Sequence, residues 1–134
     1  MLPAEMRGGA VDGNQIGSSG LAGVHTKVLF GDPSKAGLYS ILLFVPAHTT
    51  IQAHSHRDDR MATVVSGTWY FGYSDRFDAK SLKQLPPASV FSEPGALTTT
   101  SPARKKDAVI AQISGYGPTD TRYFNPADKP KPAQ

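Results

Sequence analysis

The sequence of 134 residues contains no cysteine. This absence excludes disulfides, thiolate nucleophiles, and the zinc and iron–sulfur sites that depend on cysteine. Any metal that the protein binds must therefore be held by histidine, carboxylate or amide ligands.

Long apolar runs are also absent. The longest, Ile41 to Val45, has the length of a strand, whereas a membrane-spanning helix needs ~18 residues. The first 23 residues contain no apolar stretch like the core of a signal peptide. We therefore expect a soluble protein with no membrane partner and no export signal in the chain as given, which is cytoplasmic by default although its compartment is undetermined.

Charge is sparse and mixed. The formal charge of +3 arises from 14 basic and 11 acidic residues that are mostly interspersed. The only compact cluster, Arg104, Lys105 and Lys106, lies beside Pro102 and is typical of a solvated turn, so no nucleic-acid partner is expected. The sequence lacks a Gly-x-Ser-x-Gly elbow and the glycine-rich phosphate and dinucleotide motifs, which argues against a serine hydrolase or a nucleotide-binding enzyme.

The residues that are plentiful favour strands and turns. Polar content is concentrated in Gly, Ser, Thr and Pro, and no segment has a strong helical period. Eight to ten short strand candidates separated by turn residues predict an all-β sandwich or barrel. We divide the chain into a flexible Gly/Ser-rich arm (1–23), a single barrel domain (24–125) and a proline-rich tail (126–134).

One predicted strand carries two histidines. Strict alternation over 49–56 places Thr50, Gln52, His54 and His56 on one face. Histidines two residues apart on a strand point into the same space, as adjacent ligands of a metal must. His54 and His56 are therefore candidate metal ligands.

The segment around these histidines resembles the first signature of the cupin superfamily. His54 and His56 match its paired histidines and Gly67 its closing glycine, but His48 stands at the first glycine and Arg60 at the glutamate. The second signature is similar to the stretch from Pro94 to Thr99, in which Thr99 replaces a histidine.

This resemblance implies a conical double-stranded β-helix with a small-molecule site at its wide mouth, often in a homodimer formed by strand pairing. It also implies a divalent transition metal (Fe, Mn, Zn, Ni or Cu) held by three histidines and one glutamate. The chain keeps only two of these four ligands. Side chains that could complete the set are Gln52, Gln112, Glu93 and His25.

A second hypothesis needs no metal. Arginine is a donor only and cannot ligate a cation, but the Arg60 guanidinium suits a carboxylate or phosphate. His54 or His56 would then transfer a proton while Arg60 holds the anion, as in an isomerase or lyase. A non-catalytic, ligand-binding protein is a third possibility, and Arg60 would otherwise pair with Asp58 or Asp59 in a surface turn.

Four further residues are candidate ligand contacts: Gln52, Thr99, Gln112 and Trp69. Trp69 belongs to an aromatic strand segment, and strand aromatics more often build core than line a pocket. The sequence thus predicts a barrel around a histidine-bearing pocket for a small oxygenated or carboxylate compound. It does not decide whether the protein is an enzyme.

Overall fold

A computed structural model describes residues 3–7, 18–74, 78–95, 99–102 and 107–131. A short helix, α1 (Pro3–Arg7), precedes ten strands in these ranges, and a 3₁₀ turn (Pro126–Asp128) follows them. The strands are β1 (His25–Phe30), β2 (Gly37–Val45), β3 (Thr50–Ser55), β4 (Arg60–Ser66), β5 (Trp69–Tyr73), β6 (Lys83–Leu85), β7 (Val90–Glu93), β8 (Thr99–Pro102), β9 (Val109–Gly117) and β10 (Arg122–Tyr123).

The strands form two antiparallel five-stranded sheets. The first has the order β1-β2-β9-β4-β7 and the second the order β10-β3-β8-β5-β6. Strands β2 and β9 pair over nine residues, from Gly37 opposite Gly117 to Val45 opposite Val109. These two long strands are the central support of the first sheet.

The core lies between the two sheets because apolar residues alternate along the strands. In β2 and β9 the odd-numbered positions point inward. The buried core cluster includes Tyr39, Ile41, Leu43, Val45, Ile51, Ala62, Val64, Trp69, Phe71, Val109 and Ile113.

The turn between β4 and β5 requires a glycine at position 67, the closing glycine of the first signature. Gly67 has a φ of +77°, and a Cβ at this position would lie 2.4 Å from the carbonyl oxygen of Ala108. Only glycine satisfies both the left-handed backbone and this close approach.

The all-β prediction is confirmed, with local departures. Helix α1 and the edge strand β6 were not predicted. Ser18 and Ser19, at the end of the predicted flexible arm, are buried, and their carbonyl oxygens accept hydrogen bonds from Thr121 and Tyr123. This end of the arm therefore packs against the barrel. Residues 1–2, 8–17 and 132–134 of the predicted arm and tail lie outside the described ranges.

Membrane-spanning helices are not found in the described part of the chain, where no helix is long and apolar enough.

Candidate metal centre

The two predicted histidines lie inside the barrel. His54 is 5% exposed and His56 is 3% exposed. Their ring centroids are 5.0 Å apart, and the ring planes meet at 82°. The edge-on arrangement of the rings is compatible with both imidazoles facing one shared point.

A β-bulge turns the histidines inward. Ile51 pairs with Ser101 and His54 with Thr99, so three steps along β3 match two along β8. The extra residue breaks the alternation, which allows both Ile51 and His54 to face the interior. The prediction that Gln52 shares a face with His54 is therefore wrong: it assumed a regular strand.

Hydrogen bonds define the tautomer of each histidine. His54 donates its Nδ1–H to the carbonyl oxygen of Gln52 at 2.6 Å, and His56 donates its Nδ1–H to that of Asp120, also at 2.6 Å. A carbonyl oxygen only accepts, so each neutral ring carries its lone pair on Nε2. The Nε2 atom of His56 is buried and has no hydrogen-bond partner among the described residues.

Glu93, at the end of β7, completes the cluster. One ligand atom from each of His54, His56 and Glu93 can be chosen so that all lie within 4.8 Å of one another. The His56 Nε2 atom is 3.9 Å from Oε2 of Glu93. Tetrahedral ligands bound at ~2.0–2.2 Å lie about 3.3–3.6 Å apart, so the three ligand atoms would move closer together to hold a metal.

Arg60 is the fourth buried polar residue of the site. It is 4% exposed and pairs with Glu93, donating to Oε2 through Nε at 2.7 Å and through Nη2. The alternative of a surface turn with Asp58 or Asp59 is thus incorrect, because the β4–β7 register sets Arg60 opposite Glu93 inside the barrel.

Burial and charge shift the pKa values in the cluster. Burial, followed by the charge of Arg60, lowers the pKa of His56 to about 3, and burial also lowers the pKa of His54. Burial alone would raise the pKa of Glu93, but Arg60 and the two imidazoles outweigh it, so its pKa is lowered. At neutral pH the site therefore holds two neutral imidazoles and an ionised carboxylate.

A second buried carboxylate lies nearby. Asp58 is 8% exposed and accepts hydrogen bonds from the Tyr39 hydroxyl (2.6 Å) and the Thr119 hydroxyl (2.5 Å). Burial raises the pKa of Tyr39 to about 12, so this hydroxyl stays protonated and donates. Sequence reasoning placed Asp58 at the surface, because its partners Tyr39 and Thr119 are distant in the sequence.

The other predicted residues are distributed differently. Gln112 lies on the opposite face of β9 from inward-facing Ile113 and donates to the hydroxyls of Ser40 and Ser114, so the structure does not bring it to the histidines. Trp69 is 3% exposed and part of the core. Thr99 pairs with His54 along the backbone, but its side chain lies outside the described part of the structure.

His25 does not join the cluster either. It pairs with Phe44 and lines a groove with Phe44 and Pro46, on the opposite face of β1 from buried Thr26. Of the four side chains considered as additional ligands, Glu93 is the one that the barrel brings to the histidines.

The donor set fits a transition metal. Two Nε2 lone pairs oriented by Nδ1–H bonds to backbone carbonyls are a common arrangement around metals, because the second hydrogen bond fixes the tautomer and the ring. Nitrogen with carboxylate oxygen suits zinc, iron, manganese, nickel and copper better than calcium. The buried Nε2 of His56, which has no hydrogen-bond partner among the described residues, is available to bind a metal.

The two sheets and their interior polar cluster define a cupin-type double-stranded β-helix. No protein-family model matches the chain, and no curated protein matches its sequence. Its fold matches solved structures at low sequence identity.

A cupin-like protein from Thermotoga maritima has a TM-score of 0.63 at 14% identity, over 91% of this chain and 95% of that one. KdgF from Halomonas sp. has a TM-score of 0.56 at 17% identity, over 71% and 80%. The DMSP lyase DddQ from Ruegeria pomeroyi has a TM-score of 0.58 at 14% identity, over 70% of this chain and 47% of the lyase. At these identities the similarity establishes the cupin fold alone.

Proposed function

We propose that this protein binds a divalent transition metal through His54, His56 and Glu93, and that the metal holds a small oxygenated or carboxylate-bearing ligand in the barrel. The observation that carries the proposal is the tautomer pattern. Both imidazoles use Nδ1–H for a backbone carbonyl, so the lone pair of each ring is on Nε2, and one ligand atom from each of His54, His56 and Glu93 lies within 4.8 Å of the others.

A metal bound here would act as a Lewis acid that polarises a carbonyl or carboxylate oxygen. The protein residues supply the rest of the environment. Their burial excludes water, and the backbone carbonyls of Gln52 and Asp120 orient the rings.

The metal-free alternative, an isomerase or lyase, is supported less well. It needs Arg60 to hold an anion, but the guanidinium is already engaged by Glu93. It also needs a histidine base, and a pKa of about 3 makes His56 a weak base at neutral pH. The similar fold of a DMSP lyase keeps lyase chemistry among the reactions to assay.

Metal analysis tests the proposal. Protein purified without chelator is assayed for bound metal, then stripped and titrated calorimetrically with Zn²⁺ and Mn²⁺. We expect one metal per chain and at least a tenfold loss of affinity in His54→Gln, His56→Gln and Glu93→Gln.

The matched control is His48→Asn, which removes an exposed histidine away from the cluster. It should bind metal like the wild type. Failure of the wild-type protein to bind either metal, or equal binding by the three ligand variants, would exclude the proposed site. Malonate should bind the metal-loaded protein and not the metal-stripped protein. Equal binding to both forms would favour the metal-free isomerase or lyase.

A further inference from the structure

Arg60 lies in one inward-facing row that crosses four neighbouring strands of the first sheet. The register sets Tyr39 opposite Gly115, Gly115 opposite Arg60, and Arg60 opposite Glu93. Glu93 is therefore the direct neighbour of Arg60 on one side. On the other side Gly115 offers no side chain.

Asp58 and Tyr39 occupy the space above this glycine. A Cβ on Gly115 would lie 2.6 Å from Oδ2 of Asp58 and 2.7 Å from the Tyr39 hydroxyl. The Asp58 carboxylate thus lies over Gly115, the neighbour of Arg60 on the side away from Glu93. Burial alone would lower the pKa of Arg60, but the charge of Glu93, together with smaller contributions that include the charge of Asp58, outweighs it and raises the pKa.

Two buried acidic residues, Asp58 and Glu93, accompany one buried arginine, Arg60. Both carboxylate oxygens of Asp58 accept hydrogen bonds, from the hydroxyls of Tyr39 and Thr119.

Arg60 and a metal would draw on the same carboxylate. Oε2 of Glu93 accepts both guanidinium bonds and is also the oxygen 3.9 Å from Nε2 of His56. A metal bound through Oε2 would replace these guanidinium bonds. A buried guanidinium without another anion would strongly oppose that change.

We propose that Asp58 is a positioning residue for metal binding. Its carboxylate would stabilise the buried positive charge of Arg60 when Glu93 binds a metal and no longer accepts the guanidinium hydrogen bonds. This inference rests on the proposed function. Asp58 acts through Arg60 and is not a ligand, so removing its charge tightens the hold of Arg60 on Glu93 and weakens metal binding.

A double-mutant cycle tests this by Zn²⁺ titration of the full chain. Asp58→Asn should weaken binding about tenfold, whereas the matched control Asp59→Asn should change it less than about twofold. Asp59 is the exposed neighbour, and its carboxylate accepts the Gly95 N–H. In an Arg60→Gln background the effect of Asp58→Asn should fall below about threefold, because the residue through which it acts is gone.

An equal effect of Asp58→Asn in both backgrounds would mean that the charge of Asp58 acts on the metal directly, and this would overturn the proposal. A wild-type Zn²⁺ affinity in Asp58→Asn would overturn it too.

A second measurement does not depend on the variants folding. The Nε–H resonance of Arg60 should shift when Zn²⁺ is added to wild-type protein, and an unchanged resonance in the loaded protein would contradict the exchange. Absence of Zn²⁺ binding by the wild type would instead exclude the metal site itself.

Discussion

At the scale of single residues, His48 shows what a signature glycine is for. It stands where the cupin signature has its first glycine, and its φ is +61°, in the left-handed region. A residue with a side chain is strained there by about 1–2 kcal/mol. Glycine would remove this strain, but its greater conformational freedom in the unfolded chain would offset part of the gain in stability. The position demands a backbone conformation and not an imidazole.

His48→Gly should therefore stabilise the protein, by about 0.5 kcal/mol. The neighbouring control Ala47→Gly should destabilise it by roughly 0.5–1 kcal/mol, since glycine brings only entropy there. Urea unfolding of both variants measures the difference. A loss of stability in His48→Gly as large as in Ala47→Gly would show that the turn is not strained.

His56 makes the stability of the metal-free protein depend on pH. Its pKa is about 3 in the folded chain against an ordinary 6.5, so the unfolded chain takes up the proton first as the pH falls. Stability contributed by the neutral ring is present above pH 6.5 and declines towards pH 3. The free energy of unfolding of the wild type should fall more steeply than that of His56→Gln between those limits. Parallel curves would contradict the buried, neutral ring.

At the scale of the element, strand β3 shows the limit of predicting from alternation which side chains share a face. Alternation correctly paired His54 with His56, because they lie after the bulge. It wrongly added Gln52, because nothing in the local residue types marks the extra residue between Ile51 and His54.

Gln52→Ala should therefore change Zn²⁺ affinity less than about twofold, because only the backbone carbonyl of Gln52 contacts His54. Gln112→Ala is a matched control on the outer face of β9 and should behave alike. A tenfold loss of affinity in Gln52→Ala alone would place its side chain at the site.

The partnership of Arg60 with Glu93 is also a property of elements. The two residues are 33 positions apart and meet because β4 and β7 pair in one register. A sequence shows neither strand order nor register, so it placed Arg60 either in the pocket with the histidines or in a surface turn, and it did not predict Glu93 as the partner of Arg60. The same reason hid Asp58, whose partners Tyr39 and Thr119 come from distant segments.

At the scale of the whole molecule, the sequence is most informative about architecture. The spacing of Gly and Pro turns and the absence of a helical period predicted the all-β fold, and the cupin resemblance predicted its type. Chemistry was less accessible because it depends on which inward positions face one another across the barrel. The glutamate of the site comes from Glu93, beside Pro94 and Gly95 of the second signature, and not from the position held by Arg60.

The expected homodimer belongs to this scale. Leu38, Met61 and Tyr116 are 61%, 53% and 67% exposed on the outer face of the first sheet. Burial of such side chains would favour association of two copies. Light scattering after size exclusion should give twice the chain mass of 14.3 kDa, and Met61→Glu should shift the protein towards the monomer. A wild-type monomer at high concentration would refute the dimer.

Anomalous diffraction from crystals grown with Zn²⁺ tests the central claim most directly. The account predicts a peak at the zinc edge within ~2.0–2.2 Å of the Nε2 atoms of His54 and His56 and of a carboxylate oxygen of Glu93. A barrel interior without such a peak, with zinc only at surface residues such as His48, would contradict it.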